Sequence, residues 1–225
     1  MNAWLEKLNE TFIVSGGYRY IIEGFQNTIT ITLGALVIGV VIGSLIAIIK
    51  YFAEETPCLK PFAAICDLYT TVIRGIPITV LLLIFYFVIM ITASELTVAI
   101  LAFGINSGAY MAELIRSGIN AVDKGQMEAG RSLGMSRAQT MRKVIFPQAI
   151  RYILPAIGNE LIALLKETSV AGYITIVDLT RGGNLIRNNT HDAINPLLLV
   201  ALIYLTLVVV LTSLLGLLER KLAKK

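Results

Sequence analysis

The chain has 225 residues, 56% apolar and only 15% charged, with a mean hydropathy of +0.76, whereas a soluble domain carries about 25% charged residues. Long apolar blocks follow one another with no polar domain between them, which excludes an ordinary soluble enzyme and implies one membrane domain over residues 1–225. The net charge of +4 follows from membrane topology, as shown below, so nucleic acid is not expected as a partner.

Residues 1–20 precede the first apolar block. Trp4, Leu5, Leu8, Phe12 and Ile13 have roughly helical spacing among Glu6, Lys7 and Glu10. They predict an amphipathic helix at the outer interface, a disordered end being the alternative. No small-residue cleavage site follows a short apolar core, so a secretory signal is not expected.

Five spans are predicted, over Ile21–Ile49, Phe62–Ile91, Ala93–Ile115, Tyr152–Ile176 and Ile194–Leu218. The fold class is therefore all-α integral membrane. The first span carries Ala35, Gly39, Gly43 and Ala47 at four-residue spacing, a small-residue stripe that lets helix backbones approach closely in lipid. The second contains Arg74, Gly75, Ile76 and Pro77, and the proline must break or kink it. The fourth holds Pro155 and the charged Glu160, Lys166 and Glu167, so it cannot face lipid. Cys58 and Cys66 form no CxxC pair, and no metal site is expected. His191, the one histidine, reads as a solvated loop residue.

Lys and Arg set the orientation. With a cytoplasmic C-terminus, the inner side holds thirteen: Lys50, Lys60, Arg116, Lys124, Arg131, Arg137, Arg142, Lys143, Arg151, Arg220, Lys221, Lys224 and Lys225. The outer side holds four, Lys7, Arg19, Arg181 and Arg187. This positive-inside bias places the N-terminus outside.

The stretch 124–147, between the third and fourth spans, is then cytoplasmic. Gly134 suits the left-handed position that closes a helix. Ser136 followed by Gln139 is a capping box that opens the next. Pro147 is expected to start the helix leading into the fourth span. Ala129 and Gly130 would leave the first helix slim enough for another protein to approach. On physical grounds alone, a structured loop without a partner is an equal reading.

The pattern Glu128, Ala129, Gly130, then Gly134, then Val144, Ile145, Phe146 and Pro147 resembles the EAA loop of ABC-importer permeases. It departs from that motif in Gly130 for the second alanine, Val144 for isoleucine and Phe146 for leucine. The resemblance extends over roughly 25–218, through Arg74 to Pro77, Gly108 to Glu113, Lys124 to Gln126, Gly158 to Glu160, and Lys166 to Ser169. These are similar to the polar amino-acid branch, with Ile76 and Asp67 as departures. The resemblance implies a permease pair, fed by an external amino-acid-binding protein and driven by separate ABC subunits that hold ATP and Mg. A homodimer is favoured over a heterodimer. It also implies that Glu128, Ala129, Gly130, Leu133, Gly134, Met135, Arg137 and Phe146 contact the ATPase. Independently, the chain contains no G-x-x-x-x-G-K-[ST] phosphate loop, and it is not expected to be an enzyme.

Charges at mid-membrane mark functional-site candidates. On the fourth span, Glu160, Glu167 and Thr168 fall on one helical face. Arg74 and Asn106 sit near the midpoints of the second and third spans, and Tyr110 and Asn159 lie close in sequence. Together they offer a cation for a substrate carboxylate, an amide, and a carboxylate for a cationic side chain. The expected substrate is therefore a basic amino acid. The structural alternative is that Glu160, Glu167, Lys166, Arg74 and Glu113 pair among themselves. That alternative is preferred for Arg74, Glu113 and Lys166, but not for Glu160. Asp67 is expected to be solvated. A secondary transporter or channel would also use a broken helix and midplane charges, but has no use for the EAA segment.

Overall fold

The computed structural model describes residues 2–53 and 56–223. Met1, Lys224 and Lys225, used in the readings above, lie outside the described residues. Ten α-helices account for most of the rest: α1 (Asn2–Asn9), α2 (Gly17–Ala53), α3 (Lys60–Gly75), α4 (Ile78–Ile84), α5 (Glu95–Asn120), α6 (Lys124–Ser132), α7 (Arg137–Thr140), α8 (Phe146–Glu167), α9 (Leu179–Thr190) and α10 (Asn195–Ala223).

Three helices, α2, α5 and α10, are long and apolar enough to cross a membrane. At 37 residues, α2 runs about 55 Å, well beyond a hydrocarbon core of about 30 Å. The second expected span is broken where proline required it. Helix α3 ends at Gly75, Ile76 is extended at φ −99°, and α4 starts at Ile78. The chain bends by 107° between Pro57–Gly75 and Ile78–Ile89, which count as a fourth span if taken together. The charge-bearing α8 is the remaining expected span. Its α-helix stops at Glu167 and tightens into a 3₁₀ segment over Thr168–Ile174, so the expected helix to Ile176 ends early. Beyond it α9, absent from the five-span reading, opens on Asp178, whose Oδ1 accepts from the backbone N–H groups of Thr180 and Arg181.

Packing follows the small-residue stripe. Helix α2 packs most extensively against α5. Gly39 faces Ser107, Gly43 faces Met111, Gly104 faces Ile38 and Gly108 faces Ile42. Numbers rise together along both helices, so α2 and α5 run parallel, as first and third spans should. Side chains at these glycines would hold the backbones apart, and close van der Waals packing is what drives helix association where lipid is as apolar as the helices. Helix α8 runs antiparallel to α5, with Gly118 against Ile153 and Ser107 against Glu160. One core cluster includes Ile31, Leu82, Phe103, Leu164 and Ile174. Another, toward α6 and α7, includes Ala47, Ile115, Ile145 and Ile153.

The N-terminal segment is helical, as its spacing predicts. Trp4, Leu5 and Ile13 stay exposed, and the segment is tied to Asp192, whose Oδ1 lies 4.0 Å from Lys7 Nζ. Thr11 is buried and donates its hydroxyl to Asp192 Oδ2 at 3.0 Å. Asn195 Nδ2 donates to the same oxygen at 2.7 Å, and the backbone N–H groups of Ile194 and Asn195 donate to Oδ1. Burial by itself would raise the Asp192 carboxyl, but these donors outweigh it and hold it below the usual carboxylate range. His191 is exposed, as expected, and closes α9 in the left-handed conformation at φ 54°.

Candidate functional site

One face of α5 collects the polar chemistry in three successive turns. Ser107 donates its hydroxyl to Glu160 Oε1 of α8 at 3.0 Å. Three residues on, the Tyr110 ring carries the Arg74 guanidinium at 5.3 Å from its centroid. Three further, Glu113 accepts from Arg116 at 2.7 Å and from Lys50 at 3.5 Å. Lys50 also reaches Asp67 at 2.6 Å. Tyr69 of α3 donates its hydroxyl to the Ile105 carbonyl and pins α3 to α5.

The expected pairing among Glu160, Glu167, Lys166, Arg74 and Glu113 is therefore not what forms. Glu113 pairs instead with Lys50 and Arg116. Arg74 stacks on Tyr110, and Lys166 is exposed with no ion pair among the described residues. Asp67, expected to be solvated, is exposed yet ion-paired with Lys50. The reason is distance along the chain: Lys50 comes from α2, whose last turns flank both α3 and α5. A cavity of about 720 Å³ lies there, lined in part by Lys50, Asp67, Thr70, Arg74, Glu113 and Arg116.

Glu160 and Asn106 are not among the residues lining that cavity, so Arg74 and Glu160 do not share one pocket. They are linked through α5, on adjacent turns. Glu160 is half-buried, and its one hydrogen-bond partner among the described residues is the neutral Ser107 hydroxyl. Asn106 is buried, and its amide has no hydrogen bond among the described residues. Glu167 is half-buried and Asn159 exposed. Thr168 does not join the face predicted for it: fully buried, it donates its hydroxyl to the Leu165 carbonyl as α8 ends. Ser107 escaped the sequence reading, although it stands three residues before Tyr110 on the same helical face.

The segment 124–147 forms the corner that its sequence predicts. Gly134 takes φ +81°. The Met135 N–H donates to the Gly130 carbonyl and the Gly134 N–H to the Arg131 carbonyl, the paired closure of a glycine-terminated helix. Ser136 and Gln139 form the capping box in both directions. Leu133, at the apex, is 82% exposed. Glu128 and Ala129 are also exposed, and Met135 is half-buried.

One expectation about this segment is corrected. Gly130 does not leave an open face; it is buried against Thr140, so its missing side chain lets α6 and α7 close on each other. Arg137 lies over Tyr51 of α2 at 4.8 Å and donates to its hydroxyl at 3.1 Å. Pro147 stands in the first turn of α8, as expected, and a π-helical turn over Met141–Ile145 joins that helix directly to α7. The wider turn leaves room for a residue that cannot donate an N–H. Phe146 lines a groove between α2 and α8.

Comparisons with known proteins agree with this architecture. The family described as "Binding-protein-dependent transport system inner membrane component" matches residues 39–224. The putative glutamine transport system permease protein GlnP of Rickettsia typhi is 37% identical, over 90% of this chain and 92% of that protein. The arginine transport system permease protein ArtQ of Bacillus subtilis is also 37% identical, with the same coverage. A crystal structure of an amino acid ABC transporter with histidines is 42% identical at a TM-score of 0.83, covering 91% of this chain and 94% of that one. In that family the permease is distinct from the subunit that hydrolyses ATP. The chain belongs to the inner-membrane-component family of binding-protein-dependent transport systems, and is an ABC-transporter permease related to those of amino-acid systems.

Proposed function

We propose that this permease moves basic amino acids such as arginine, lysine and histidine into the cytoplasm by alternating access. Two identical copies form the membrane path, an external binding protein delivers the substrate, and ATP and Mg act in separate ATPase subunits docked on the 124–147 segment. The N-terminus lies outside and the C-terminus inside. The observation that carries the specificity is Glu160, a half-buried carboxylate at mid-chain of α8 hydrogen-bonded to a neutral hydroxyl. A carboxylate in such surroundings is costly unless a cation meets it, and no cation of this chain does so among the described residues. Asn106 beside Ser107, and Tyr110 one turn on with Arg74 of α3 stacked on its ring, are the groups for the substrate's carboxylate end, at a point of the path separate from the pocket at Glu160, and Glu167 and Asn159 flank Glu160 on α8. The arginine system among the relatives supports a basic substrate, while the glutamine system makes a neutral one the competing reading.

Docking is supported by the exposed apex at Leu133 and the exposed Glu128 and Ala129 beside it. Reconstitution with the ATPase and binding protein tests the whole reading. Labelled arginine should accumulate only with ATP and binding protein, and lysine should compete. Uptake that persists without ATP would assign the chain to secondary transport. Topology is read in intact cells: cysteine at Asn189 should label from outside and cysteine at Arg131 should not, both positions being exposed.

A further inference from the structure

Away from the polar face of α5, a second cavity of about 540 Å³ lies between α2 and α8. Its walls are two helical stripes. Val40, Ser44, Ile48 and Phe52 follow one another at four-residue steps on α2; Phe146, Ile150, Ile153 and Ile157 do the same at steps of four, three and four on α8. Ser44 is the one hydroxyl along these stripes, and the hydroxyl of Tyr51, which also lines the cavity, accepts from Arg137. From Val40 to Phe52 the groove runs about 18 Å, close to half of a hydrocarbon core of about 30 Å. It therefore has the depth of one leaflet. Val41, Leu45, Ile48 and Phe52 are exposed on α2, as are Phe146 and Tyr152 on α8, so the groove opens onto an apolar surface.

The walls decide what fits. Two apolar stripes running side by side for about 18 Å suit an extended acyl chain lying between them. A polar amino acid would find no partners for its charges on these walls.

The mouth of the groove differs from its walls. Arg142 stands there, exposed, and forms no hydrogen bond or ion pair among the described residues. No acidic side chain is among the residues that line the cavity. A guanidinium at the polar end of an apolar slot matches a phosphodiester, which it can engage through two oxygens. With no carboxylate there to hold an ammonium, a headgroup bearing its own cation gains nothing over one that is simply anionic.

We propose that this groove binds an anionic phospholipid of the phosphatidylglycerol type, one acyl chain lying between the α2 and α8 stripes and the phosphate resting on Arg142. The assignment to the inner leaflet rests on the topology proposed above; the assignment of the ligand does not. A bound lipid would touch α2, α8 and the turn that joins α8 to the docking segment, so the membrane's anionic content becomes an input to that segment.

The test uses the full-length protein, extracted with its co-purifying subunits and placed in nanodiscs. One set contains phosphatidylglycerol with a photoactivatable diazirine in the acyl chain, and the other the matching phosphatidylcholine. Phosphatidylglycerol should label peptides covering 40–52 and 146–157 about fivefold more than phosphatidylcholine does, the gain expected of one basic residue near an anionic headgroup. Arg142→Gln should bring the two lipids level, Arg142→Lys should keep most of the preference, and Ile150→Trp should remove the phosphatidylglycerol excess by filling the slot. Equal labelling of the wild type by both lipids would overturn the proposal, and needs no variant to fold. So would an unchanged preference in Arg142→Gln, or no label on these peptides, as when a second copy of the chain covers the groove. Both nanodisc leaflets have the same composition, so an inverted topology leaves this result unchanged and shows only in the intact-cell labelling.

Discussion

Ser107 of α5 and Glu160 of α8 are joined by a 3.0 Å hydrogen bond in which the hydroxyl donates, and the same hydroxyl lies against Gly39 of α2. Three helices thus meet at one side chain. A Cβ on Gly39 would approach Ser107 Oγ to 2.7 Å, closer than real contacts allow, and a leucine adds three carbons more. Gly39→Leu should therefore push α2 from α5 and shift Ser107 off Glu160, at about 1–3 kcal/mol for overpacking. The check is thermal unfolding in detergent, where the variant's midpoint should fall by several degrees while Gly216→Leu, at a glycine with open space around it, leaves it unchanged. Equal midpoints for Gly39→Leu and wild type would mean that the helices can separate there without cost.

The corner of the docking segment makes a separate prediction. Gly134 sits at φ +81° with nothing within 4 Å of where a side chain would start, so substitution acts through the backbone alone. Valine is strained at positive φ, and asparagine much less so. Gly134→Val should insert into the membrane normally but lose ATPase stimulation and transport, with Gly134→Asn intermediate. Full stimulation by Gly134→Val would show that the corner can reshape without consequence.

The N-terminal clamp predicts a pH dependence. The Asp192 carboxyl is held below its usual range in the folded protein by its hydrogen-bond donors, so its contribution is present above the unfolded value of about 3.9. It is lost as pH falls through the lower folded value. Trp4, the chain's one tryptophan, sits on the helix that Thr11 anchors to Asp192. Its fluorescence should hold steady from neutral pH down to about 4 and change below that. In Asp192→Asn the acid transition should vanish. A transition centred above pH 5, or one that survives in Asp192→Asn, would assign it to another group.

How much of this was legible in sequence depends on the range of the interactions. Hydropathy suffices for α2, α5 and α10, because spanning lipid is a demand on each helix separately. The break at Pro77, the left-handed Gly134 and the capping box at Ser136 are local chemistry within a few residues, and all appear where predicted. Helix α9 was missed because its hydropathy resembles a loop, although Asp178 standing before it is a capping signal. What the sequence withheld is partnership. Lys50 pairs with Asp67 and Glu113, 17 and 63 positions away, and nothing short of the α2, α3 and α5 packing brings them together. The same holds for Thr168, whose place on a helical face was lost when α8 tightened to 3₁₀ geometry, and for Gly130, whose small size serves Thr140 rather than an open surface.

The most direct test of the proposed function is competitive uptake by Glu160→Gln in reconstituted vesicles, with the external binding protein held constant. Glutamine at this position keeps the shape and can still accept from Ser107, but carries no charge. Removing one partner of a desolvated charge pair costs about 2–5 kcal/mol, about 30-fold and upward. Arginine and lysine uptake should therefore fall by about 30-fold, while glutamine uptake is retained or rises. Equal losses for basic and neutral amino acids would contradict the account, and would assign Glu160 to holding α8 against α5.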